Sequence, residues 1–306
     1  MRQRGYGRDP ELTFRMLFTM FMLGLVYIAF IGLLLFAGVD FIFIALIAVA
    51  MALFQYYGSD RLVLAATRAK IVSPQEEPHL HATIERLAAM ADMPKPKKIA
   101  VMDTHVPNAF ATGRNPKNAV VAVTRGLMSR LSEQEVEAVL AHELTHIKNR
   151  DVMVLTWVSL IVVVSGFLMQ MMFWMSLFGG FGGGRSRNGG GGQAMMIMMA
   201  VYVGTIAVYF LSQLLIMALS RYREFAADRG SAMVTGAPMQ LASALSKISD
   251  DMYRIPEKDM RQVEHANAFF NAMASLFSSH PKVEKRIERL QAMQREMDRG
   301  FREFRA

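Results

Sequence analysis

Cysteine is absent from the 306 residues of the chain, so disulfide bonds and a thiol nucleophile are both excluded. Runs of basic residues interleaved with aromatic residues are absent too, although the chain carries a formal net charge of +8. This pattern argues against a nucleic-acid partner and favours contact with anionic lipid. The lack of cysteine also agrees with a cytoplasmic location of the soluble segments.

Charged residues are missing from long blocks of the sequence. Met16–Val39 and Phe41–Ser59 contain no charged residue, and Val152–Ser220 contains no acidic residue and only two arginines. About 20 consecutive apolar residues suffice to cross a bilayer core of about 30 Å. The pattern therefore predicts four transmembrane helices, at 14–36, 40–57, 152–178 and 194–220.

Basic residues at the ends of these segments predict their orientation. Four arginines precede or open the first segment, and lysines and arginines flank the soluble stretches, whereas the turn Ala37–Asp40 has none and the loop Phe178–Gln193 has two. Because cytoplasmic loops carry the excess of Lys and Arg, we predict that both termini and the soluble segments lie in the cytoplasm. A signal peptide is the alternative for the first segment, but its length and the lack of a small-residue cleavage site favour an uncleaved anchor.

The segment 132–151 contains the motif HELTH, from His142 to His146. The segment opens with a Ser followed three residues later by a Glu, as in a capping box, and its apolar residues recur at helical spacing, so it is predicted to be a helix. On a helix, the two histidines lie on one face and can bind a single ion, with Glu143 beside them as a base. Chance occurrence of this short motif on a polar helix face is the alternative.

A catalytic zinc site needs a third protein ligand. The metzincin continuation of the motif is excluded, because Asn149 and Val152 replace its Gly and its His. The two apolar segments that follow are of equal length, so the second returns the chain to the level at which the first left it. This hairpin is expected to bring Glu224 beside His146.

Asp228 lies one helical turn beyond Glu224 and is suited to accept a hydrogen bond from a ligand imidazole. The alternative is that both acids only form ion pairs with Arg221 or Arg223 at the membrane edge. A zinc ion at this site would supply an acidified water molecule and polarise a peptide carbonyl, and Glu143 would transfer the proton of the water to the leaving amine. The pattern therefore indicates peptide hydrolysis with one Zn²⁺ per chain.

The soluble sequence at 60–151 predicts a small α/β unit. Its elements before the motif helix are a helix at 74–91 and two short apolar strands at 99–102 and 119–123. Because no Gly or Pro interrupts 132–165, we also expect one continuous helix from Ser132 to Phe178. The predicted parts of the chain are an N-terminal tail with a membrane hairpin, a cytoplasmic α/β part, a second hairpin with a Gly-rich loop at 179–193, and a cytoplasmic C-terminal part: 1–59, 60–151, 152–220 and 221–306.

Together these features resemble the HtpX-type integral membrane zinc metalloproteases, which are related to the prenyl-protein CAAX peptidases. The resemblance covers nearly the whole chain, including the N-terminal membrane hairpin. Its motifs, in order, are NAFATG at 108–113, HELTH with Asn149 and Asp151, SRYREFAAD at 220–228, and SHP at 279–281 before Arg286-Ile287.

The resemblance implies a mainly α fold with a small β-sheet, in which four transmembrane helices carry a cytoplasmic, gluzincin-like zinc-metallopeptidase domain. It implies that His142, His146 and Glu224 are the zinc ligands. It also implies that Glu143 is the catalytic base and that the Asp228 carboxylate orients a ligand. It also implies a sheet edge to which an extended substrate adds as a strand. The residues expected to contact the substrate or the transition state are Asn108, Ala109, Phe110, Ala111, Arg221 and His280. For His280, capping of the following helix is the alternative.

The resemblance further implies proteolytic quality control, in which misfolded or damaged membrane proteins are cleaved at the cytoplasmic face of the bacterial inner membrane. Polypeptides and the lipid bilayer are then the expected partners. A site-two type intramembrane protease is disfavoured, because Lys148, Arg150 and Asp151 separate His146 from the apolar run. The alternative from another class is a non-catalytic membrane scaffold with a structural zinc, which would need a fourth protein ligand.

Overall fold

The computed structural model describes residues 9–36, 38, 40–113, 118–178, 191–252 and 281–303. Within these residues the helices are α1 (Pro10–Phe36), α2 (Phe41–Ala66), α3 (Pro78–Met90), α4 (Arg125–Arg130), α5 (Glu133–Lys148), α6 (Asp151–Phe178), α7 (Gly191–Thr235), α8 (Pro238–Met252) and α9 (Val283–Glu303). The strands are β1 (Lys70–Ile71), β2 (Lys98–Met102), β3 (Ala109–Thr112) and β4 (Val120–Thr124). The prediction of a mainly helical chain with a small sheet is confirmed.

The elements form two compact units. The first, which we call the apolar unit, comprises 14–56 and 155–219, and the second, the sheet unit, contains the described parts of 1–13, 57–154 and 220–306. Three helices are long and apolar enough to cross a membrane, namely Pro10–Phe36, Asp151–Trp174 and Met195–Thr235. Helix α2 contains a shorter apolar stretch, Ala45–Phe54. Each of these stretches overlaps one of the four predicted segments, and in the described residues three of them have the length and apolar composition of a membrane-spanning helix. Within the apolar unit many large apolar side chains are exposed, among them Phe14, Ile28 and Phe36, which suits contact with lipid.

In the sheet unit the strand order is β1-β2-β4-β3. The central strands β2 and β4 are parallel, with Ile99 opposite Val121, and both outer strands are antiparallel to their neighbours. The two strands predicted from apolar runs are confirmed as β2 and β4. The outer strand β1 was not predicted, because its two residues are too few to show a pattern.

Both faces of the sheet are covered, which explains why β2 and β4 are continuous apolar runs rather than alternating ones. One face packs against α3 and α5, and the core there includes Leu80, Ile84, Leu87, Ile99, Val121, Val123, Leu140 and Leu144. The side chains buried on the other face are Ala100, Met102, Val120 and Ala122, with Leu64, Ala69 and Phe110 packed against them. The motif helix α5 is therefore held firmly against the sheet.

Helix α5 begins with the predicted capping box. The backbone N–H of Ser132 donates to Glu135 Oε2 at 2.8 Å, and the backbone N–H of Glu135 donates to Ser132 Oγ at 3.4 Å. The buried Glu135 carboxylate also accepts hydrogen bonds from Ser243 and Lys247 of α8. The same side chain thus starts α5 and attaches it to α8.

The predicted continuous helix from Ser132 to Phe178 is wrong, because the chain breaks between α5 and α6. Helix α5 ends at Lys148, Arg150 adopts a φ of 55°, and α6 begins at Asp151. A residue in this left-handed region cannot continue a right-handed helix. The sequence gives no sign of the break, since neither Gly nor Pro marks it.

Candidate metal centre

Two histidines of α5 and one glutamate of α7 bring their ligand atoms to one point. The ligand atoms of His142, His146 and Glu224 all lie within 4.8 Å of one another. The Nε2 atoms of the histidines are 3.1 Å apart, and the Glu224 carboxylate oxygens lie 3.6 Å from Nε2 of His142 and 3.4 Å from Nε2 of His146. The site is largely closed to solvent, with His142 and Glu224 buried and His146 half-buried.

These separations fit a zinc ion. Zinc binds imidazole nitrogen and carboxylate oxygen at about 2.0–2.2 Å, so the donors of a tetrahedral site lie roughly 3.3–3.6 Å from one another. The two Nε2 atoms are 3.1 Å apart, and Glu224 places Oε1 3.4 Å from Nε2 of His146 and Oε2 3.6 Å from Nε2 of His142, all close to that range. Two imidazoles and one carboxylate also form the ligand set of catalytic zinc sites, which leave a fourth position for water.

A carboxylate behind each histidine determines which ring nitrogen faces the ligand point. Asp228 Oδ1 lies 3.1 Å from Nδ1 of His142, and Asp151 Oδ2 lies 2.6 Å from Nδ1 of His146. Because an ionised carboxylate only accepts hydrogen bonds, Nδ1 of each ring carries a proton. In the neutral ring Nε2 then presents its lone pair, and both lone pairs face the Glu224 carboxylate, an arrangement that a cation stabilises.

Each of these two carboxylates is held in turn by a buried arginine. Arg286 of α9 donates from Nε and Nη2 to Asp228, at 2.8 and 2.5 Å, and its Nη1 lies 3.4 Å from Glu224. Arg223 of α7 donates to Asp151 and, at 3.1 Å, to the backbone carbonyl of Asn149, the residue that follows α5. The arginines neutralise the two carboxylates and fix their orientation.

The surrounding carboxylates change the pKa values of both histidines. Burial lowers the pKa of His142, but the nearby carboxylates of Asp228 and Glu224 outweigh burial, and the net pKa is raised. Burial acts in the same direction on His146, where the carboxylates of Asp151 and Glu224 leave the pKa well above its ordinary value. The centre is therefore built to hold positive charge between its acidic side chains.

Glu143, the predicted base, follows His142 on α5. Its side chain is half-buried. An acidic group in this position can accept a proton from a water molecule held at the ligand point.

The strand β3, which follows Asn108, lies at one edge of the described sheet. The Asn108 carbonyl accepts the backbone N–H of Thr124 at 3.0 Å, so alternate residues from Asn108 onward point their backbone groups toward β4. Ala109 and Ala111 therefore turn their N–H and C=O groups away from β4. The side chain of Phe110, which lies between these two residues, packs on the sheet face opposite α5.

Two predicted contact residues remain, Arg221 and His280. Arg221 is exposed on α7, and in the described part of the chain no hydrogen bond or ion pair joins it to the ligand residues. His280 lies outside the described residues. The structure thus brings the three predicted ligands and Asp228 together, with Glu143 next to His142 on α5 and Arg221 exposed on α7.

Three residues of the centre were missed as functional residues: Asp151, Arg223 and Arg286. The sequence motifs contain Asp151 and Arg286 but predict no role for either side chain at the metal centre, and Arg223 is predicted only as an alternative ion-pair partner of Glu224 and Asp228. A signal for Arg286 exists, since it falls on the apolar face of α9, three residues after Val283 and four before Leu290. A charged residue on an otherwise buried face indicates a buried partner.

Comparisons with known proteins agree on one family. Residues 74–294 match peptidase family M48. A "Protease HtpX homolog" from Moorella thermoacetica is 52% identical over 97% of this chain and 99% of its own length. A "Protease HtpX homolog 2" from Methanosarcina acetivorans is 50% identical over 96% of this chain and 99% of its own length. The crystal structure of Ste24p from S. mikatae has a similar fold, with a TM-score of 0.55 and 18% identity, covering 92% of this chain and 67% of that one.

Proposed function

Because the chain belongs to peptidase family M48 and is a membrane metalloprotease, we propose that it is a zinc-dependent endopeptidase that cleaves misfolded or damaged membrane proteins at the cytoplasmic face. The observation that carries the proposal is the convergence of His142, His146 and Glu224 on one point. The carboxylates behind the two histidines support it further, because they orient both rings toward that point.

In the proposed site His142, His146 and Glu224 hold one zinc ion per chain. When bound, zinc supplies Lewis acidity to a water molecule and to the carbonyl of the scissile peptide bond. Glu143 accepts a proton from the attacking water and donates it to the leaving amine nitrogen. Asp228 keeps the His142 ring oriented while the proton moves.

The outer edge of β3 is proposed to bind the substrate as an added strand. The outward backbone groups of Ala109 and Ala111 offer N–H donors and C=O acceptors to an extended chain. Because the main chain is recognised, such binding requires an extended segment and depends only weakly on its sequence. This requirement favours misfolded polypeptides over folded ones as substrates.

We propose three further contacts with the substrate or the transition state, because Asn108, His280 and Arg221 lie in the motifs shared with the family. The exposed Asn108 side chain would donate a hydrogen bond to the oxyanion that forms at the scissile carbonyl. His280 is the second candidate for this role, and Arg221 is proposed to contact the substrate. The Asn108 assignment is supported by its position directly before β3, where the added strand would begin.

We propose that α1, α2, α6 and α7 each cross the membrane, with both termini and the metal centre in the cytoplasm of a bacterial cell. The apolar length of α1, α6 and α7 supports three of the crossings, the uncharged run Phe41–Ser59 supports the crossing by α2, and the lysines and arginines at the helix ends support the orientation. The corresponding parts of the chain are the tail and first hairpin, the α/β part, the second hairpin and the C-terminal part: 1–59, 60–151, 152–220 and 221–306.

Digestion of an unfolded protein tests the proposed function. The chain is purified in detergent, depleted of metal with a chelator and supplied again with zinc, and the cleavage of casein is followed beside that of a stably folded protein. We expect internal cleavage of casein that requires zinc, and no cleavage of the folded protein. Cleavage without metal would contradict the proposal. Full zinc occupancy without any cleavage would favour the scaffold with a structural zinc.

A further inference from the structure

The two helices that carry the metal ligands meet at a glycine. Gly230 of α7 faces Thr145 of α5 so closely that a β-carbon on Gly230 would lie 2.3 Å from Thr145 Cγ2 and 2.6 Å from Thr145 Oγ1. Carbon atoms in ordinary contact are about 3.5–4.0 Å apart. The helices can therefore approach to this distance only because the residue on α7 has no side chain.

A hydrogen bond joins the same two helices next to this contact. Ser231 Oγ donates to the backbone carbonyl of Ala138 at 2.7 Å, and both residues are buried. The Gly230 contact sets how closely α5 and α7 can approach, whereas the Ser231 hydrogen bond limits how far one helix can slide along the other. Together the two contacts fix one relative position of the helices.

Three of the four contact residues lie on the same helix faces as the ligands, whereas Gly230 is six residues after Glu224 and lies about 120° away from it around α7. On α5, Ala138 and Thr145 are four residues before and three residues after His142. On α7, Ser231 is seven residues after Glu224. Residues at spacings of three, four and seven share one face of a helix. The separation between Glu224 and the histidines therefore depends on the distance between the helices at this contact.

We propose that Gly230 is a positioning residue of the metal centre, because its missing side chain sets the separation of the ligand on α7 from the ligands on α5. The inference rests on the proposed function, since it concerns the same metal. Thr145 is poorly able to move aside, because its Oγ1 donates to the Ala141 carbonyl at 2.8 Å and its β-branched side chain has few rotamers in a helix. An added methyl group would thus move α7 by about 1 Å. Metal–ligand distances tolerate only about 0.2 Å.

The variant Gly230→Ala tests this inference through metal binding rather than through activity. The zinc dissociation constant is measured by competition with a chelating dye, and cobalt is substituted for zinc so that its absorption spectrum reports the ligand geometry. We expect zinc binding weaker by about tenfold or more and an altered cobalt spectrum. Alanine is a better helix former than glycine, so helix propensity alone would not produce this loss.

Two further variants separate metal positioning from general damage. Gly204→Ala, on the same helix, brings a β-carbon to 2.7 Å from the flexible end of Leu33 and should leave zinc binding and the cobalt spectrum unchanged. Adding Thr145→Ala to Gly230→Ala removes both closest atoms, and zinc binding should return toward that of the unmodified chain. If Gly230→Ala alone does not fold, the zinc affinity of the double variant still tests the inference.

The outcomes distinguish this inference from the proposed function. If the unmodified chain binds no zinc, the proposed function itself fails. If the unmodified chain binds zinc and Gly230→Ala binds it with the same affinity and the same cobalt spectrum, Gly230 does not position the ligands and only the inference fails. A folded double variant that still binds zinc weakly would also overturn the inference, since the contact with Thr145 would then not be the cause.

Discussion

Asp151 Oδ2 lies 2.6 Å from Nδ1 of His146 because α5 and α6 are separate helices. In one continuous helix, residues five positions apart would point about 140° away from each other. The left-handed backbone of Arg150 ends α5 and turns Asp151 toward the histidine. The break in the helix is therefore part of the metal centre.

Replacing Asp151 by Asn tests the importance of this contact. The substitution keeps the size of the side chain but removes the negative charge that faces both His146 and Arg223. We expect zinc affinity to fall by about 10- to 100-fold, as for other residues that orient a metal-bound histidine. Competition with a chelating dye measures the affinity, and Asp103→Asn, at an exposed position, is the matched control. Zinc binding as tight as in the control would show that Asp151 does not orient the ligand.

Loss of Arg286 should destabilise the fold most when no metal is bound. Arg286→Met leaves the carboxylates of Asp228 and Glu224 buried without their arginine, at a cost of about 3–5 kcal/mol in the free energy of unfolding. Bound zinc would compensate part of the charge, so chelator should increase the loss. Denaturant unfolding in detergent measures both states. The control is Arg86→Met, which breaks a half-exposed ion pair with Glu137 and should cost less than about 1 kcal/mol. Equal losses for the two variants would contradict the prediction.

Glu135 should make the stability of the sheet unit depend on pH in the acid range. Burial raises the pKa of Glu135, but hydrogen bonds from Lys247, Ser243 and Ser132 outweigh burial and lower the pKa from 4.5 to about 2. Because the pKa is lower in the folded state, the stabilisation is complete above about pH 4.5 and is lost as the pH falls toward 2. It amounts to at most about 3 kcal/mol, and salt reduces the part due to the half-exposed Lys247.

A comparison with Glu135→Gln isolates this contribution. Denaturant unfolding at a series of pH values gives the free energy of unfolding of both proteins. The advantage of the unmodified chain over the variant should shrink as the pH falls from about 5 to about 2. The exposed Glu133→Gln, which makes the same change on the same helix, should show no such trend. A pH-independent difference between Glu135→Gln and the unmodified chain would rule out the lowered pKa as its cause.

The outward backbone of β3 predicts a selective effect of proline. Ala111→Pro removes an N–H that points away from β4, so the hydrogen bonds within the sheet should remain and zinc should bind normally. An added substrate strand would lose one hydrogen bond, and we expect KM for casein to rise by about tenfold. Phe110→Pro is the contrasting variant, because its N–H points into the sheet and its loss should unfold β3. Unchanged KM for Ala111→Pro would argue against strand addition at this edge.

The parts of the centre that are local in sequence could be predicted, and the parts that depend on tertiary packing could not. The capping box of Ser132 and Glu135 and the strand runs in β2 and β4 follow from local rules, and each is confirmed. The meeting of Glu224 with the histidines followed from the equal length of two apolar segments. By contrast, the turn at Arg150 has no Gly or Pro to announce it, and Arg286 lies 58 residues from the aspartate that it holds.

The most direct test of the central claim compares Glu143→Gln with the unmodified chain in zinc content and in cleavage of casein. The exposed Glu133→Gln, on the same helix, controls for the change from acid to amide. If Glu143 is the base of a zinc peptidase, the Glu143→Gln chain will bind one zinc ion per chain and cleave casein at least about 100-fold more slowly, while the control cleaves normally. Normal cleavage by zinc-loaded Glu143→Gln would contradict the account.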